Sequence, residues 1–164
     1  MEQLFGSQLK AENRSRNDID AIYGIANSQQ TRLIKPFFDT NVSVFNKLLP
    51  IYASSRSYLI GETSSQKRDL NDLTFTEMPW LVKDTNKQAT DIYLQVSENH
   101  TQLKKLFAFG YDAKQLILLL KQLKILTGLE VEGLTGKLSL NKQNTIKRYL
   151  DWSRYQQGKI VVLK

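Results

Sequence analysis

The chain has 164 residues, of which 41 % are hydrophobic and 24 % charged, a composition that predicts one globular domain with its own core. It contains no cysteine, which excludes disulfides, thiolate metal sites and cysteine nucleophiles, and no apolar run approaches the roughly 20 residues that cross a bilayer. The net charge of +7 could attract nucleic acid, anionic lipid or an acidic partner, but the basic residues are dispersed, which favours a solvated basic surface.

The first third of the sequence predicts a strand, a helix and a second strand. After a polar lead-in over residues 1–17, residues 18–26 are apolar almost throughout, as expected for a strand buried on both faces of a parallel sheet. A helix is predicted over residues 29–39 and a short strand over residues 48–53. This order within about 35 residues is typical of a βαβ unit with a right-handed crossover.

The predicted first helix has a clear start signal and one irregularity. Asn27 and Ser28 are good N-cap residues. Pro36 lies inside the helix and is expected to kink it or to limit its first half. Four apolar side chains form one stripe along the helix: Leu33, Ile34, Phe37 and Phe38.

The middle of the chain changes from loop and strand to helix. Residues 54–68 are rich in Ser, Gly, Glu and Lys and predict an exposed loop. Residues 73–80 predict a strand that ends at a proline-bounded turn. Helices are predicted over residues 87–96 and 102–124, with a break possible at Gly110 because glycine costs roughly 1 kcal/mol in a helix interior.

The C-terminal tail reads as β structure. Strands are predicted over residues 133–140, 146–155 and 159–163, with turns between them. The sequence contains no internal repeat.

Residue patterns that carry catalysis or bind a cofactor are absent from the sequence. His100 is the only histidine and lies in a polar turn, so it reads as a surface residue rather than as part of a Ser-His-Asp relay. No His, Asp or Glu cluster has metal-ligand spacing, and Gly133 to Lys137 lacks the spacing of a phosphate-binding loop. We therefore expect no enzyme activity, no cofactor and no metal.

Two features suggest contact with a ligand or a partner. Tyr52, Ser54, Ser55 and Arg56 follow the carboxyl end of a predicted strand, where open α/β sheets bind ligands, and hydroxyls with one arginine suit a polar or anionic group. The alternative is a loop that only stabilises itself. Trp80 lies beside a proline at a strand end, where it would be either a core residue or a lining residue, and the core interpretation is favoured.

Seven segments in order resemble the C-terminal domain of the LpoA family, outer-membrane lipoproteins that activate a class A penicillin-binding protein. The resemblance runs from residue 18 to the C-terminus and is carried by DIDAI (18–22), TRLIKP (31–36), PIYASSR (50–56), FTEMPWL (75–81), FGYDA (109–113), GLTGKLS (133–139) and RYLDWS (148–153).

The resemblance implies a type I periplasmic-binding-protein-like α/β fold, with a mainly parallel sheet flanked by helices and a β-rich C-terminal tail. It also implies that residues 18–164 are about half of a two-lobed domain, the second lobe plus crossover helices. The expected function is non-catalytic binding and activation of a class A penicillin-binding protein, with peptidoglycan as a further candidate partner. The expected location is the periplasmic face of the outer membrane. Family members reach that membrane through a lipid anchor, which this sequence does not contain.

Two other functions are weighed beside this one. A solute-binding receptor for a small polar ligand is the alternative, because many proteins of this fold bind solutes between their lobes. A nucleic-acid binder, suggested only by the basic charge, is not expected.

Overall fold

The computed structural model describes residues 18–41, 48–83, 85–96, 100–126 and 128–163, so the predicted lead-in over residues 1–17 lies outside the described part. The described elements, in chain order, are β1 (Ile22–Gly24), α1 (Ser28–Asn41), β2 (Ile51–Ala53), a 3-10 turn (Ser55–Ser57), α2 (Ser64–Arg68), β3 (Thr74–Glu77), α3 (Pro79–Lys83), α4 (Lys87–Val96), α5 (Thr101–Ile125), β4 (Glu130–Glu132), β5 (Lys137–Leu140), β6 (Ile146–Tyr149), β7 (Asp151–Gln156) and β8 (Lys159–Val162).

These strands form two sheets. The first sheet has the order β1-β2-β3-β7-β8; β1, β2 and β3 run parallel, and β7 and β8 are added antiparallel. The second sheet is antiparallel, with the order β4-β5-β6. The parallel strands and their crossover helices are the predicted βαβ arrangement, and the β-rich tail makes the first sheet mixed.

Two clusters of buried side chains form the core. The first core cluster lies on one face of the first sheet and contains Ala53, Leu70, Leu73, Phe75 and Tyr155. The second core cluster contains residues of α3, α4 and α5 and of the loop after β4: Trp80, Ala89, Tyr93, Ala108 and Leu134.

The other face of the first sheet, which we call the open face, has exposed side chains on β1, β7 and β8 among the described residues, while Thr74 of β3 is buried at its centre. The strand register aligns five side chains across this face, one from each strand. Trp152 lies on the same face, two positions before Arg154 in β7. Tyr23 is 59 % exposed and Trp152 is 44 % exposed. The aligned side chains are Tyr23, Tyr52, Thr74, Arg154 and Val161.

Helix α1 begins where the sequence predicts but buries an unexpected face. The Asn27 side chain accepts a hydrogen bond from the Gln30 amide (2.9 Å), and the Gln30 side chain accepts one from the Asn27 amide (3.2 Å), which is a capping box. The helix continues past Pro36 to its end at Asn41, so the proline does not limit it. The buried positions are polar ones, and the apolar stripe is largely exposed, with Leu33 at 78 %.

Several strand predictions are wrong in extent. The strand predicted over residues 18–26 has only three residues in β1, and Tyr23 is exposed because it lies on the face of the first sheet opposite the first core cluster. The strand predicted over residues 146–155 is interrupted at Leu150, because β6 pairs with β5 whereas β7 pairs with β3. The strand predicted over residues 133–140 begins only at Lys137, and β4 was not predicted.

The segments around β3 also differ from prediction. The loop predicted over residues 54–68 contains the 3-10 turn and α2, which is capped by Thr63. The strand predicted over residues 73–80 ends at Glu77, and Pro79 becomes the first residue of α3, a position that suits proline because no amide donor is needed there. The prediction of α4 is confirmed, and α5 runs through Gly110 without a break.

A buried aspartate connects α5 to the loop between β4 and β5. Asp112 is 3 % exposed, and its carboxylate accepts hydrogen bonds from the amides of Leu134 (2.7 Å) and Thr135 (2.8 Å) and from the Thr135 hydroxyl (2.6 Å). A Cβ at Gly133 would lie 2.5 Å from an Asp112 oxygen, so only glycine fits there. These contacts join the FGYDA segment (109–113) to the GLTGKLS segment (133–139) in the fold.

Candidate functional site

The described residues form an open cleft of about 500 Å³ at the carboxyl ends of β1 and β2. It lies between the N-terminus of α1, the segment that contains the 3-10 turn, and the N-terminus of α5. Ligands of open α/β sheets bind at this end of the strands. The cleft is lined by Asn27, Ser28, Gln29, Arg56, Tyr58, Leu59, Thr101, Gln102 and Lys105.

An ion pair joins Lys105, which lines the cleft, to the buried Glu77. The Lys105 ammonium of α5 donates to the carboxylate of Glu77 at the end of β3 (2.6 Å) and to the Ser55 carbonyl (3.0 Å). The Glu77 side chain is 1 % exposed, and its other oxygen accepts from the Met78 amide (2.9 Å). Burial raises the pKa of Glu77, and the hydrogen bond and charge of Lys105 oppose that rise.

A second buried carboxylate, Glu62, links α1 to β7. Glu62 is 7 % exposed and accepts hydrogen bonds from the Ser28 hydroxyl and from the Tyr155 hydroxyl (3.1 Å). Burial raises the pKa of Tyr155, and the charge of Glu62 raises it further. Both carboxylates therefore have hydrogen-bonding partners within the chain.

Tyr58 connects the cleft to the first core cluster. Its ring stacks on Phe75 with centroids 5.8 Å apart, and its hydroxyl donates to the Leu81 carbonyl (3.2 Å). Burial, with smaller contributions from the charges of Glu77 and Glu62, raises the pKa of Tyr58 to about 12. The tyrosine is therefore a neutral hydrogen-bonding group at physiological pH.

Three of the five predicted contact residues lie in or beside the cleft. Arg56 is exposed and lines it directly. Ser55 lies in the 3-10 turn and binds Lys105 through its carbonyl oxygen. The Ser54 hydroxyl is buried and has no hydrogen-bond partner among the described residues, while the Ser54 carbonyl accepts from the Ser57 amide (3.0 Å). Their role in binding stays a prediction.

The other two predicted residues lie outside the cleft. Tyr52 is half-buried on the open face of the first sheet, where its ring meets that of Trp152 edge-on at 5.7 Å. Trp80 is fully buried in the second core cluster, where its indole N–H donates to the Thr90 hydroxyl (2.9 Å). Trp80 is a core residue, as the favoured interpretation held, and it has no exposed surface with which to touch a partner.

The cleft can hold a polar or anionic group but has no recognisable catalytic set. The cations Arg56 and Lys105 and the capped start of α1 supply positive charge. His100 lies exposed at the N-terminus of α5, where its backbone amide donates a hydrogen bond to the Tyr93 hydroxyl oxygen (3.4 Å). Within the described residues, no group of three His, Cys, Asp or Glu side chains could hold a metal ion, and no helix could span a membrane.

Sequence reasoning missed the two buried carboxylates and Lys105. The signal for Glu77 was a charged residue among inward-facing strand positions, since such a residue is rarely buried without a partner. Nothing in the sequence indicates that the partner is Lys105, which is 28 residues away.

Comparison with protein families identifies the group to which the chain belongs. The family described as "LppC putative lipoprotein" matches residues 1–158, so the chain is a member of the LppC lipoprotein family.

Curated bacterial relatives of the chain share one name, which supports this assignment. The chain is 34 % identical over 158 residues to the "Penicillin-binding protein activator LpoA" of Vibrio cholerae serotype O1, and 35 % identical over 156 residues to the protein of that name in Aliivibrio fischeri. These matches cover 94 % and 93 % of this chain and 25 % of each relative, so the chain spans about a quarter of their length. The relatives are named as activators.

Solved structures confirm the fold class. The "LpoA (YraM) C-domain from Haemophilus influenzae, a regulator of PBP1A" superposes with a TM-score of 0.75 at 26 % identity, covering 92 % of this chain and 46 % of that one. A chain from Chromobacterium violaceum described as a "putative branched-chain amino acid ABC transporter" superposes with a TM-score of 0.58 at 22 % identity, covering 82 % and 42 %, and at that identity it supports the fold alone. The fold is periplasmic-binding-protein-like, as the sequence resemblance implied.

Proposed function

We propose that this chain is part of a non-catalytic regulator of peptidoglycan synthesis that binds a class A penicillin-binding protein and activates it. One observation carries the proposal: the chain superposes over 92 % of its length on the H. influenzae C-domain, which is described as a regulator of PBP1A. The names of the curated relatives support the same role. We place the whole protein at the periplasmic face of the outer membrane, anchored by lipid, because its family is a lipoprotein family.

Activation without catalysis needs only differential binding. A regulator that binds the active conformation of the synthase ten times more tightly than the inactive one shifts that equilibrium tenfold, which corresponds to about 1.4 kcal/mol. A preformed contact surface is sufficient for this effect. The hydrogen-bonded carboxylates and capped α1 of the cleft are in keeping with such a surface.

The cleft rim is the proposed contact region. Arg56 is its exposed cation, and Ser54 and Ser55 hold the 3-10 turn that carries it. An arginine suits a carboxylate because it can donate two parallel hydrogen bonds. Tyr52 remains a candidate contact on the open face of the first sheet.

We also propose that residues 18–164 are the second lobe and crossover helices of a larger two-lobed domain. The coverage of 46 % of the H. influenzae C-domain supports this proposal. The large exposed apolar side chains also support it, among them Leu33 at 78 % and Ile117 at 75 %, because an intact domain seldom leaves so many uncovered.

The test is binding and activation of a purified class A penicillin-binding protein. The chain is expected to bind the immobilised synthase and to raise its glycan polymerisation rate, and Arg56→Glu is expected to weaken both. Lys87→Glu, which reverses an exposed charge at the start of α4 outside the cleft, is the matched control. Absence of binding and of rate change would refute the proposal. A saturable thermal stabilisation by amino acids, sugars or muropeptides would instead favour the solute receptor.

A further inference from the structure

The outer edge of β6 is unpaired among the described residues. The second sheet has the order β4-β5-β6, so β5 occupies one side of β6 and no described strand occupies the other. An unpaired edge presents backbone donors and acceptors to which another chain can add.

The register shows which residues of β6 point away from β5. The Asn141 amide donates to the Thr145 carbonyl (3.0 Å), and in an antiparallel ladder such hydrogen-bonded pairs recur every second residue. The pairs of Ser139 with Lys147 and of Lys137 with Tyr149 therefore face inward. The backbone groups of Ile146 and Arg148 therefore face the free edge. The Gly133 amide donates to the Gly136 carbonyl, so β5 bonds β4 through its even-numbered residues and β6 through its odd-numbered ones, which agrees with this assignment.

The hairpin that ends in this edge carries positive charge without negative charge. Residues 133–150 contain Lys137, Lys142, Lys147 and Arg148 and no Asp or Glu. All four basic side chains are exposed. Lys137 lies 3.5 Å from Glu132, whereas the other three make no ion pair with a described carboxylate. Tyr149, at the end of the same strand, is 52 % exposed.

We propose that β6 is a docking strand for an extended acidic segment of a protein partner, which adds to the second sheet as a fourth strand. The backbone of Ile146 and Arg148 would supply the hydrogen bonds. Lys147 would face carboxylates on one side of the added strand, and Lys142 in the hairpin turn would add positive charge near its end, whereas the Arg148 side chain points to the opposite face of the sheet. Two copies of this basic edge would repel each other, so the occupant has to carry the opposite charge. No residue of β6 lines the cleft, and the proposal does not depend on the identity of the synthase.

The probe for the test is a fluorescein-labelled octapeptide that alternates valine and glutamate, because every second side chain of an added strand faces the same way. A peptide that alternates valine and lysine is the matched control, and binding to the 164-residue chain is read by fluorescence anisotropy. The acidic peptide is expected to bind at least about tenfold more tightly than the basic one. Raising the salt from about 50 to 200 mM should weaken binding several-fold, because these charges are exposed.

Two variants separate backbone pairing from charge. Arg148→Pro removes an outward amide without removing a ladder hydrogen bond, and Arg148→Gln removes the charge alone. The proline variant is expected to weaken binding at least about threefold more than the glutamine variant. If the proline variant does not fold, the charge reversals Lys142→Glu and Lys147→Glu test the edge instead, with an expected loss of about tenfold. Equal binding of both peptides, undiminished binding by the variants, or equally tight binding of a single-stranded oligonucleotide of the same charge would overturn the proposal.

Discussion

Replacing Asp112 with alanine tests whether its buried carboxylate holds α5 to the second sheet. The substitution leaves three donors without their acceptor: the amides of Leu134 and Thr135 and the Thr135 hydroxyl. Both of these residues are 2 % exposed, so solvent does not reach the donors in the folded chain. Among the described residues, the Asp112 carboxylate is the acceptor that satisfies all three donors.

The expected loss of stability follows from these contacts. Leaving a buried donor unsatisfied costs about 1–3 kcal/mol, so three donors set an upper range of about 3–9 kcal/mol. Removal of the buried charge and entry of a water molecule into the vacated space offset part of this loss. We expect Asp112→Ala to lower the free energy of unfolding by about 3 kcal/mol and Thr135→Val, which removes only the hydroxyl, to lower it by about 1 kcal/mol.

Urea denaturation followed by tryptophan fluorescence measures the effect, because Trp80 and Leu134 pack in the same core cluster. With a urea dependence of about 2 kcal/mol per molar, a loss of 3 kcal/mol moves the midpoint by about 1.5 M. Asp91→Ala, at an exposed position of α4, is the control and should stay within about 0.5 kcal/mol of the unsubstituted chain. A loss below about 1 kcal/mol for Asp112→Ala would show that the loop is held by other contacts.

Three further outcomes are expected. The raised pKa of Glu77 means that the folded chain binds this proton more tightly than the unfolded chain, so the stability that this group contributes is complete below about pH 4.3 and is lost as the pH rises through the raised pKa. Glu77→Gln should abolish that step in a melting series against pH, and an unchanged profile would contradict the assignment. Gly110→Ala should stabilise the chain by about 1 kcal/mol, because an added Cβ meets no atom within 4 Å. Gly136→Ala should instead lower the free energy of unfolding by at least about 2 kcal/mol, because its Cβ would lie 2.2 Å from the Tyr149 carbonyl oxygen. Similar effects of the two substitutions in chemical denaturation would count against the packing described. The 164-residue chain should self-associate at high concentration through its exposed apolar side chains, and Leu33→Ser with Phe37→Ser should reduce this in light scattering, whereas a clean monomer of the unsubstituted chain would exclude it.

Local sequence signals located the three longest of the described helices, whereas the five-residue helices α2 and α3 were missed. The bounds of α4 were predicted in full, and α5 was predicted to within one residue at each end, because long periodic segments determine their own secondary structure. The predicted start of α1 is confirmed because the two residues of its capping box, Asn27 and Gln30, lie only three positions apart in the sequence.

Features that depend on distant partners were not predictable in the same way. The split of the predicted strand at Leu150 arises because its two parts pair with strands of two different sheets, β5 and β3. Likewise, the apolar stripe of α1 indicates a face to be covered but not what covers it. The buried groups of the cleft depend on contacts such as Tyr155 with Glu62, which are 93 residues apart.

Leu150 alone separates β6 from β7, and each of these strands belongs to a different sheet. One residue has only two soft backbone dihedrals, so it provides almost no slack. A displacement of the hairpin that ends in β6 would therefore pull on β7, which pairs with β3, whose last residue is Glu77. The position of the hairpin and the position of the strand that carries Glu77 are thus linked through one residue and one strand pairing.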